Sequence, residues 1–385
     1  MILKTLFKCS LCVGMATALS APAFSQHKFT INGQLAKDIQ GKVILQYNSH
    51  PNTYVRDSAI VRNGAFSLQG EVGDPYFASL QFSDNKGGPK MGRVSDYKGF
   101  FVEGGTIKIV SADSIGNAAV TGGKGQADYL HRVALLKTLN DQYRPLAEQQ
   151  AKMRMERNME AAEALQKQIA PILAQQEKID SAWIAASPDS YAAFLLWIKT
   201  QRGFIEDEGI KGFNRYSAAV RNTEQGKLFA ERIQLSKKLA IGNVAPDFTV
   251  KDSLGNPVTL SSLKGKNVML LFWISNVFGF DSFAVNMRKV SKRFKDKNFV
   301  ILGVSYDEDS RWREAMKATT YNWVHTTDVG GIGNKEAISK TAKAYGLSLG
   351  AVPQGFLIGP DGKILMRRLA LTDAELGLEL EKAVK

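Results

Sequence analysis

Apolar residues change their spacing twice along this 385-residue chain, and the three patterns predict three kinds of structure. From His27 to about Thr121 they fall in short runs, KVILQY, AFSLQGEV, YFASLQF and FFVEGGTIKIV, separated by Gly, Asn and Asp clusters. Short runs of branched and aromatic residues between turn formers predict β-strands, and hence a small sandwich or barrel. Asn63-Gly64 between SAIV and AFSL predicts a hairpin turn, because both turn residues must accept positive φ. Gly104-Gly105 predicts a second.

From about Gly122 to Ala240 the apolar period becomes helical. Leu135, Leu139, Tyr143 and Leu146 recur at steps of three and four, as do Leu165, Ile169, Ile172, Ile179 and Trp183. Pro145 and Pro171 are expected to kink or divide these helices. Ser187-Pro188 predicts a helix start, with the serine capping and the proline in the first turn. The seven-residue spacing fits a pairing surface for a second copy, leaving an oligomer through this region open. The expectation is ordinary core.

From Ile241 onward strands and helices alternate. VMLLFWI and FVILGVSY are continuous apolar runs, as expected of central strands covered on both faces. Between them Phe280, Phe283, Met287, Val290 and Phe294 keep helical spacing. Helices are predicted over 311–319, 335–345 and 372–385. Between the last two lies a hairpin, VPQGFLIGPDGKILMRRL, with Gly359-Pro360-Asp361-Gly362 at its tip. The resulting division is 1–25, 26–121, 122–240 and 241–385.

Residues 1–25 have basic Lys4 and Lys8, an apolar stretch, then small residues around Ala21, Ala23 and Ser25, and predict a secretory signal peptide cut before Gln26. Both cysteines of the chain, Cys9 and Cys12, lie inside it. The mature chain therefore has no sulfur for a disulfide, a thiol nucleophile or a thiolate metal site. The formal net charge is +13, and subtracting Lys4 and Lys8 leaves +11. No basic-plus-aromatic motif of the kind that binds nucleic acid accompanies it. Arg288, Lys289, Lys292 and Arg293 form a basic helix face, expected to be solvated. No later segment predicts a membrane span.

Candidate chemistry centres on residues 267–281, NVMLLFWISNVFGFD. An apolar strand ending in Phe272-Trp273 runs into a helix start; in the thioredoxin-like enzymes that this segment resembles a C-x-x-C motif stands there, and Val277 and Phe280 occupy the cysteine positions. Together with IGNVAPDFTVKDSLGNPVTLSSLKGK at 241–266 and Ala351-Val352-Pro353 before FLIGPDGKI, this region resembles the thioredoxin-like TlpA/AhpC-TSA group of exported thiol-disulfide oxidoreductases and peroxiredoxin relatives. The preceding β-region and helices resemble the uncharacterised N-terminal part often fused to such domains in Gram-negative bacteria. The resemblance implies a periplasmic location, an α/β thioredoxin-like fold, and a cis proline at Pro353 bordering a groove where a bound peptide pairs with Val352. It also marks departures: Leu271 stands where the family is often acidic or polar, and Phe283 where some exported members carry an acid that moves protons to a buried thiol.

Thiolate exchange needs sulfur, which neither valine nor phenylalanine supplies. Ser275, Asp281 and Ser282 flank the site, but a serine nucleophile needs a positioned base. His27, His50, His131 and His325 lie in no nucleophile motif and are expected to be structural or surface residues. No phosphate loop or metal motif is present, and no cofactor is expected. The reading is a redox-inactive module that binds a protein or peptide partner in the cell envelope through Trp273, Val277, Phe278, Val352 and Pro353. The alternatives are an oxidoreductase-family protein working with a cysteine-bearing partner, or a structural role with function in the β-domain.

Overall fold

A computed structural model describes residues 27–83, 96–275, 280–318, 323–328, 339–347, 352–367, 369, 371 and 375–384. The predicted signal peptide, Val277 and Phe278 lie outside them, as do parts of the helices expected over 335–345 and 372–385. The chain divides into two compact units, residues 1–193 and 194–385.

Among the described residues of the first unit, eight strands form two four-stranded sheets. These are β1 (His27–Gln34), β2 (Gly41–His50), β3 (Thr53–Val61), β4 (Ala65–Val72), β5 (Tyr76–Ser83), β6 (Tyr97–Val102), β7 (Gly105–Val110) and β8 (Ala119–Thr121). One sheet runs β4-β1-β7-β8 and the other β3-β2-β5-β6. Alternate residues point inward, Val43, Leu45 and Tyr47 of β2 meeting Phe29 and Ile31 of β1 in one shared core, so the architecture is a sandwich. Asn63 and Gly64 have φ of 51° and 76° and close a two-residue turn through the Arg62–Ala65 bridge. A side chain at 64 would lie 2.3 Å from the Leu35 carbonyl, so glycine is required there twice over.

The expectation of a hairpin at Gly104-Gly105 is corrected. Gly105 has φ of 110°, but β6 and β7 belong to opposite sheets, and β7 pairs in parallel with β1. Glycines permit a reversal of the chain; they do not decide which strand becomes the neighbour.

Helices α1 (Lys124–Leu135), α2 (Lys137–Met155) and α3 (Met159–Ala186) follow. Asn158 caps α3 by accepting from the Ala161 amide at 3.1 Å. The predicted stripe is largely the seam between α2 and α3: Leu139, Ala162, Ile169 and Trp183 are buried, while Leu135, at the end of α1, is exposed. Gln176 bonds Asn140 across the seam at 2.8 Å. Neither Pro145 nor Pro171 divides its helix. Both prolines are exposed, where water solvates the carbonyl left without a donor. The Ser187-Pro188 start is also corrected. Ser187 ends α3, and the next helix, α4 (Tyr191–Thr200), is capped by Ser190, whose Oγ accepts from Ala193 at 3.2 Å. Pro188 lies in the turn between them.

In the second unit, α5 (Asp207–Asn214), α6 (Ala218–Arg221) and α7 (Glu224–Lys238) pack around Phe194, Trp197, Phe213, Tyr216 and Phe229. A seven-stranded sheet follows, built from β9 (Thr249–Asp252), β10 (Pro257–Thr259), β11 (Asn267–Trp273), β12 (Phe299–Ser305), β13 (Val324–Thr327), β14 (Gln354–Ile358) and β15 (Ile364–Arg367). Its order is β10-β9-β13-β12-β11-β14-β15. Helices α8 (Phe280–Arg293), α9 (Asp309–Ala318), α10 (Lys340–Tyr345) and α11 (Leu376–Ala383) complete the unit. Every residue of β11 is buried, as a central strand covered on both faces requires. Val268, Leu270 and Phe272 enter one core with Tyr345 and Phe356. Met269, Leu271 and Trp273 enter the other with Phe283, Met287, Val290 and Phe294 of α8. The sheet is thus held between two apolar layers, the thioredoxin-like arrangement.

Candidate functional site

Strand polarity places the site. The parallel strands β11, β12 and β13 deliver their carboxyl ends to one edge of the sheet, where ligands of open α/β sheets bind. Antiparallel β14 begins at that same edge. The strand-end residue Trp273, Ile274-Ser275 after it, and the Val352-Pro353 pair therefore come to one end of the α/β unit.

Beyond Trp273 the chain is tied down by a carboxylate that the sequence did not single out. Asp307, just past the end of β12, is buried and accepts from the Ser275 backbone amide at 2.9 Å and from Ser275 Oγ at 3.1 Å. Ser305 Oγ donates at 3.0 Å to Asp307 Oδ2, the oxygen that also accepts from the Ser275 amide, and Ser305 Oγ in turn accepts from the Asp307 amide at 3.1 Å. The Tyr306 amide donates to the Trp273 carbonyl at 3.0 Å, extending the β11–β12 pairing by one step. Several donors converging on one buried carboxylate make a satisfied polar network, which positions the chain where it leaves the sheet. It also uses Ser275: the hydroxyl is engaged with a carboxylate, with no histidine interposed as a base. The sequence signal was present in Ser305-Tyr306-Asp307, two polar residues closing an apolar strand at its carboxyl end.

The surroundings are apolar. Leu271 and Phe283, the two positions noted from the resemblance, are 0% and 1% exposed and fill their surroundings with hydrocarbon. Phe272 stacks on Tyr306 with centroids 6.1 Å apart and meets Tyr345 at 5.0 Å. Burial, and then the charge of Asp328, raise the Tyr306 phenol far above its ordinary value. Burial likewise raises Tyr345, whose hydroxyl donates to the Pro246 carbonyl at 2.7 Å. Neither is a proton carrier near neutrality.

Trp273, expected at the binding surface, is 1% exposed and lies within the core on the α8 side, its indole near Gly303. Val352 is 7% exposed and belongs to the opposite core, leaving its backbone as the part able to pair with a ligand. The Val352-Pro353 bond is cis. Phe280 is the first residue of α8. His325 accepts from Trp323 Nε1 at 2.6 Å through Nδ1, a structural bond within β13 and its approach. Among the described residues no group of three or more His, Cys, Asp and Glu side chains could hold a metal ion. No helix among them is long and apolar enough to cross a membrane.

Beside Pro353 lies a cleft of about 600 Å³. One wall is Pro353, Gln354 and Leu369; the other comes from the helical segment before the sheet, through Phe204, Arg232 and Leu235. Sequence reading missed this second wall, because nothing in the periodicity of α7 tells which face will meet β14.

Residues 241–367 match the AhpC/TSA family, and residues 29–129 match a domain of unknown function, DUF4369. Thiol-disulfide oxidoreductase ResA of Bacillus cereus is 32% identical over 130 residues, spanning 34% of this chain and 69% of the relative. ResA of Bacillus anthracis is 32% identical over 150 residues, spanning 39% and 79%. Among solved structures, the thioredoxin domain of a thiol-disulfide oxidoreductase from Bacteroides vulgatus is 30% identical, with TM-score 0.33, covering 38% of this chain and 99% of that one. The chain belongs to the thioredoxin-like TlpA/AhpC-TSA family, the family of the thiol-disulfide oxidoreductases, with a DUF4369 domain ahead of its α/β domain.

Proposed function

We propose that this protein is an exported, periplasmic member of the family that has lost thiol-disulfide chemistry and holds a polypeptide partner at the vestigial site. The observation that carries the reading is the sequence itself: no cysteine follows Cys12, and Val277 and Phe280 stand at the two C-x-x-C positions. Supporting it, Leu271 and Phe283 are buried and apolar, Ser275 is committed to Asp307, and a cleft lies beside Pro353. On this reading Val277 and Phe278 are an apolar contact pair, and Pro353 and the Val352 backbone form the groove's edge. The division into 26–121, 122–240 and 241–385 assigns this role to the last segment.

The deciding experiment is in-cell photo-crosslinking from position 278, with mass spectrometry of the products. A single captured protein, lost on Phe278→Asp in a variant that keeps its melting temperature, supports the reading. Crosslinks only within this chain would overturn it and move attention to the β-domain. Purified residues 26–385 are expected to reduce insulin disulfides no faster than buffer; turnover above that level would refute the redox-inactive assignment.

A further inference from the structure

The end of the α/β unit opposite the candidate site is built from four loops laced together by backbone hydrogen bonds: residues 241–245, 264–266, 295–298 and 360–363. Val244 bridges to Lys363, and the Ala245 amide donates to the Gly362 carbonyl at 2.9 Å. The Gly265 amide donates to the Pro360 carbonyl at 2.9 Å, and the Asn267 amide to the Asn298 carbonyl at 2.9 Å. Asn298 Nδ2 returns a bond to the Gly265 carbonyl. The chain enters β11 from this end, so the seven residues of that strand hold the loops about 20 Å from the Trp273 edge. Loops tied to one another in this way present their side chains as one pre-organised surface.

That surface is basic. Lys264, Lys266, Lys295, Lys297 and Lys363 are exposed, against Asp296 and Asp361 in the same loops, an excess of three positive charges. Lys237 and Lys238 end α7, where Asn243 Nδ2 donates to the Lys237 carbonyl at 2.8 Å, and they add two. Asp247, which accepts from the Ser261 amide at 2.9 Å, removes one and leaves an excess of four. Glu381, beside Lys297 at 3.2 Å, is offset by its second cation, Arg293. The local excess sets the potential over this face, whichever lysine each acid engages. At its rim Ile241 and Val244 are 63% and 62% exposed, two branched aliphatic side chains turned to solvent beside the lysines.

We infer that this face docks on a bilayer of anionic phospholipid, with its lysines over the lipid phosphates and Ile241 and Val244 at the boundary between headgroups and acyl chains. Lysine is a compact charge on a long stem, suited to a fluid array of phosphates. Forked recognition of one fixed anion uses arginine, and none lies in the four loops. Aliphatic side chains among the lysines add the apolar contact that an interfacial surface makes with lipid. The inference is independent of the peptide reading of the Pro353 edge, and it turns that edge away from the bilayer.

The test is co-sedimentation of residues 26–385, without the apolar stretch that would enter lipid by itself, with two kinds of vesicle. One is phosphatidylcholine alone and the other contains about 30 mol % phosphatidylglycerol. Binding to the anionic vesicles is expected to be about 100-fold tighter, and to fall steeply as salt rises from about 0.1 to about 0.5 M. Lys264→Gln/Lys266→Gln/Lys363→Gln is expected to weaken it by about 10-fold or more and to keep the melting temperature, because all three side chains are exposed. Lys152→Gln/Lys167→Gln/Lys178→Gln removes the same charge from exposed positions of α2 and α3, and is expected to leave binding unchanged. Ile241→Ser/Val244→Ser is expected to weaken binding about 3-fold at every salt concentration. Equal partition onto both vesicles, or an equal loss in the two triple lysine variants, overturns the inference. So does retention on immobilised poly-glutamate without vesicle binding, which assigns the face to an acidic polypeptide. Absence of any binding to anionic vesicles overturns it as well, and leaves the reading of the Pro353 edge standing or falling by capture from position 278.

Discussion

Asp307 shows how much one side chain decides at this site. It holds Ser275 by both its amide and its hydroxyl, so removing the carboxylate leaves buried donors without an acceptor. Leaving such groups unsatisfied costs more than the bond itself contributes. Asp307→Ala is therefore expected to destabilise the protein by about 2–3 kcal/mol in urea unfolding. The same substitution frees the residue at which the chain turns away from β11, and should abolish crosslinking from position 278 even at temperatures where the variant is folded. Ser275→Ala, which keeps the amide bond, is expected to cost about 1 kcal/mol and to leave capture intact. A loss of capture in Ser275→Ala without unfolding would instead assign the hydroxyl a direct role.

At the scale of elements, two clamps hold the layers of the second unit. Arg367 on β15 donates from Nη2 to both carboxylate oxygens of Glu206, each at 2.7 Å, and from Nη1 to the carbonyls of Ser236 and Leu239 that end α7. Its side chain is 11% exposed, and truncation strands the carbonyls of buried Ser236 and Leu239, while Glu206 remains open to solvent. Arg367→Ala should lower stability by about 2–3 kcal/mol, and Arg367→Lys should recover little, because an ammonium cannot reproduce the planar fork. Chemical denaturation of the two variants checks both statements. The second clamp joins α8 to α11. Glu381 accepts from Arg293 at 2.5 Å and Lys297 at 3.2 Å, and these bonds lower its carboxyl from 4.5 to about 2. A depressed carboxyl adds stability that is complete above its unfolded value and is lost as pH falls through the folded one. The melting-temperature difference between the protein and Glu381→Gln is therefore expected to be constant above pH 5 and to shrink between about pH 4.5 and 2. The pair is open to solvent, so the difference is small and salt reduces it. A difference that instead grows towards acid would refute the clamp.

For the whole molecule, the described residues form three apolar cores, and none of them holds a cysteine. Residues 26–385 contain no cysteine, so their melting temperature should be identical with and without dithiothreitol. A shift on reduction would mean that a sulfur-bearing partner had copurified, favouring the reading in which a partner supplies the thiols. Family membership places the chain among oxidoreductases, but function resides in site residues and not in the scaffold.

What the amino-acid sequence determined is what depends on neighbours along the chain. Alternation in KVILQY, the helical steps from Phe283 to Phe294 and the unbroken apolar run of β11 each specify a local form and the face it buries. That positions 277 and 280 hold valine and phenylalanine is likewise a property of the letters alone. What the tertiary structure decided depends on residues distant in sequence. Gly104-Gly105 permitted a turn, yet the parallel pairing of β7 with β1 made it a change of sheet. Ser187 and Ser190 are equally good caps in isolation, and the length of α3 chose the second. Asp307 meets Ser275 across 32 residues, and Arg232 reaches the Pro353 cleft from a helix outside the α/β sheet. Periodicity records which side of an element avoids water; only packing brings two such sides together and makes a site between them.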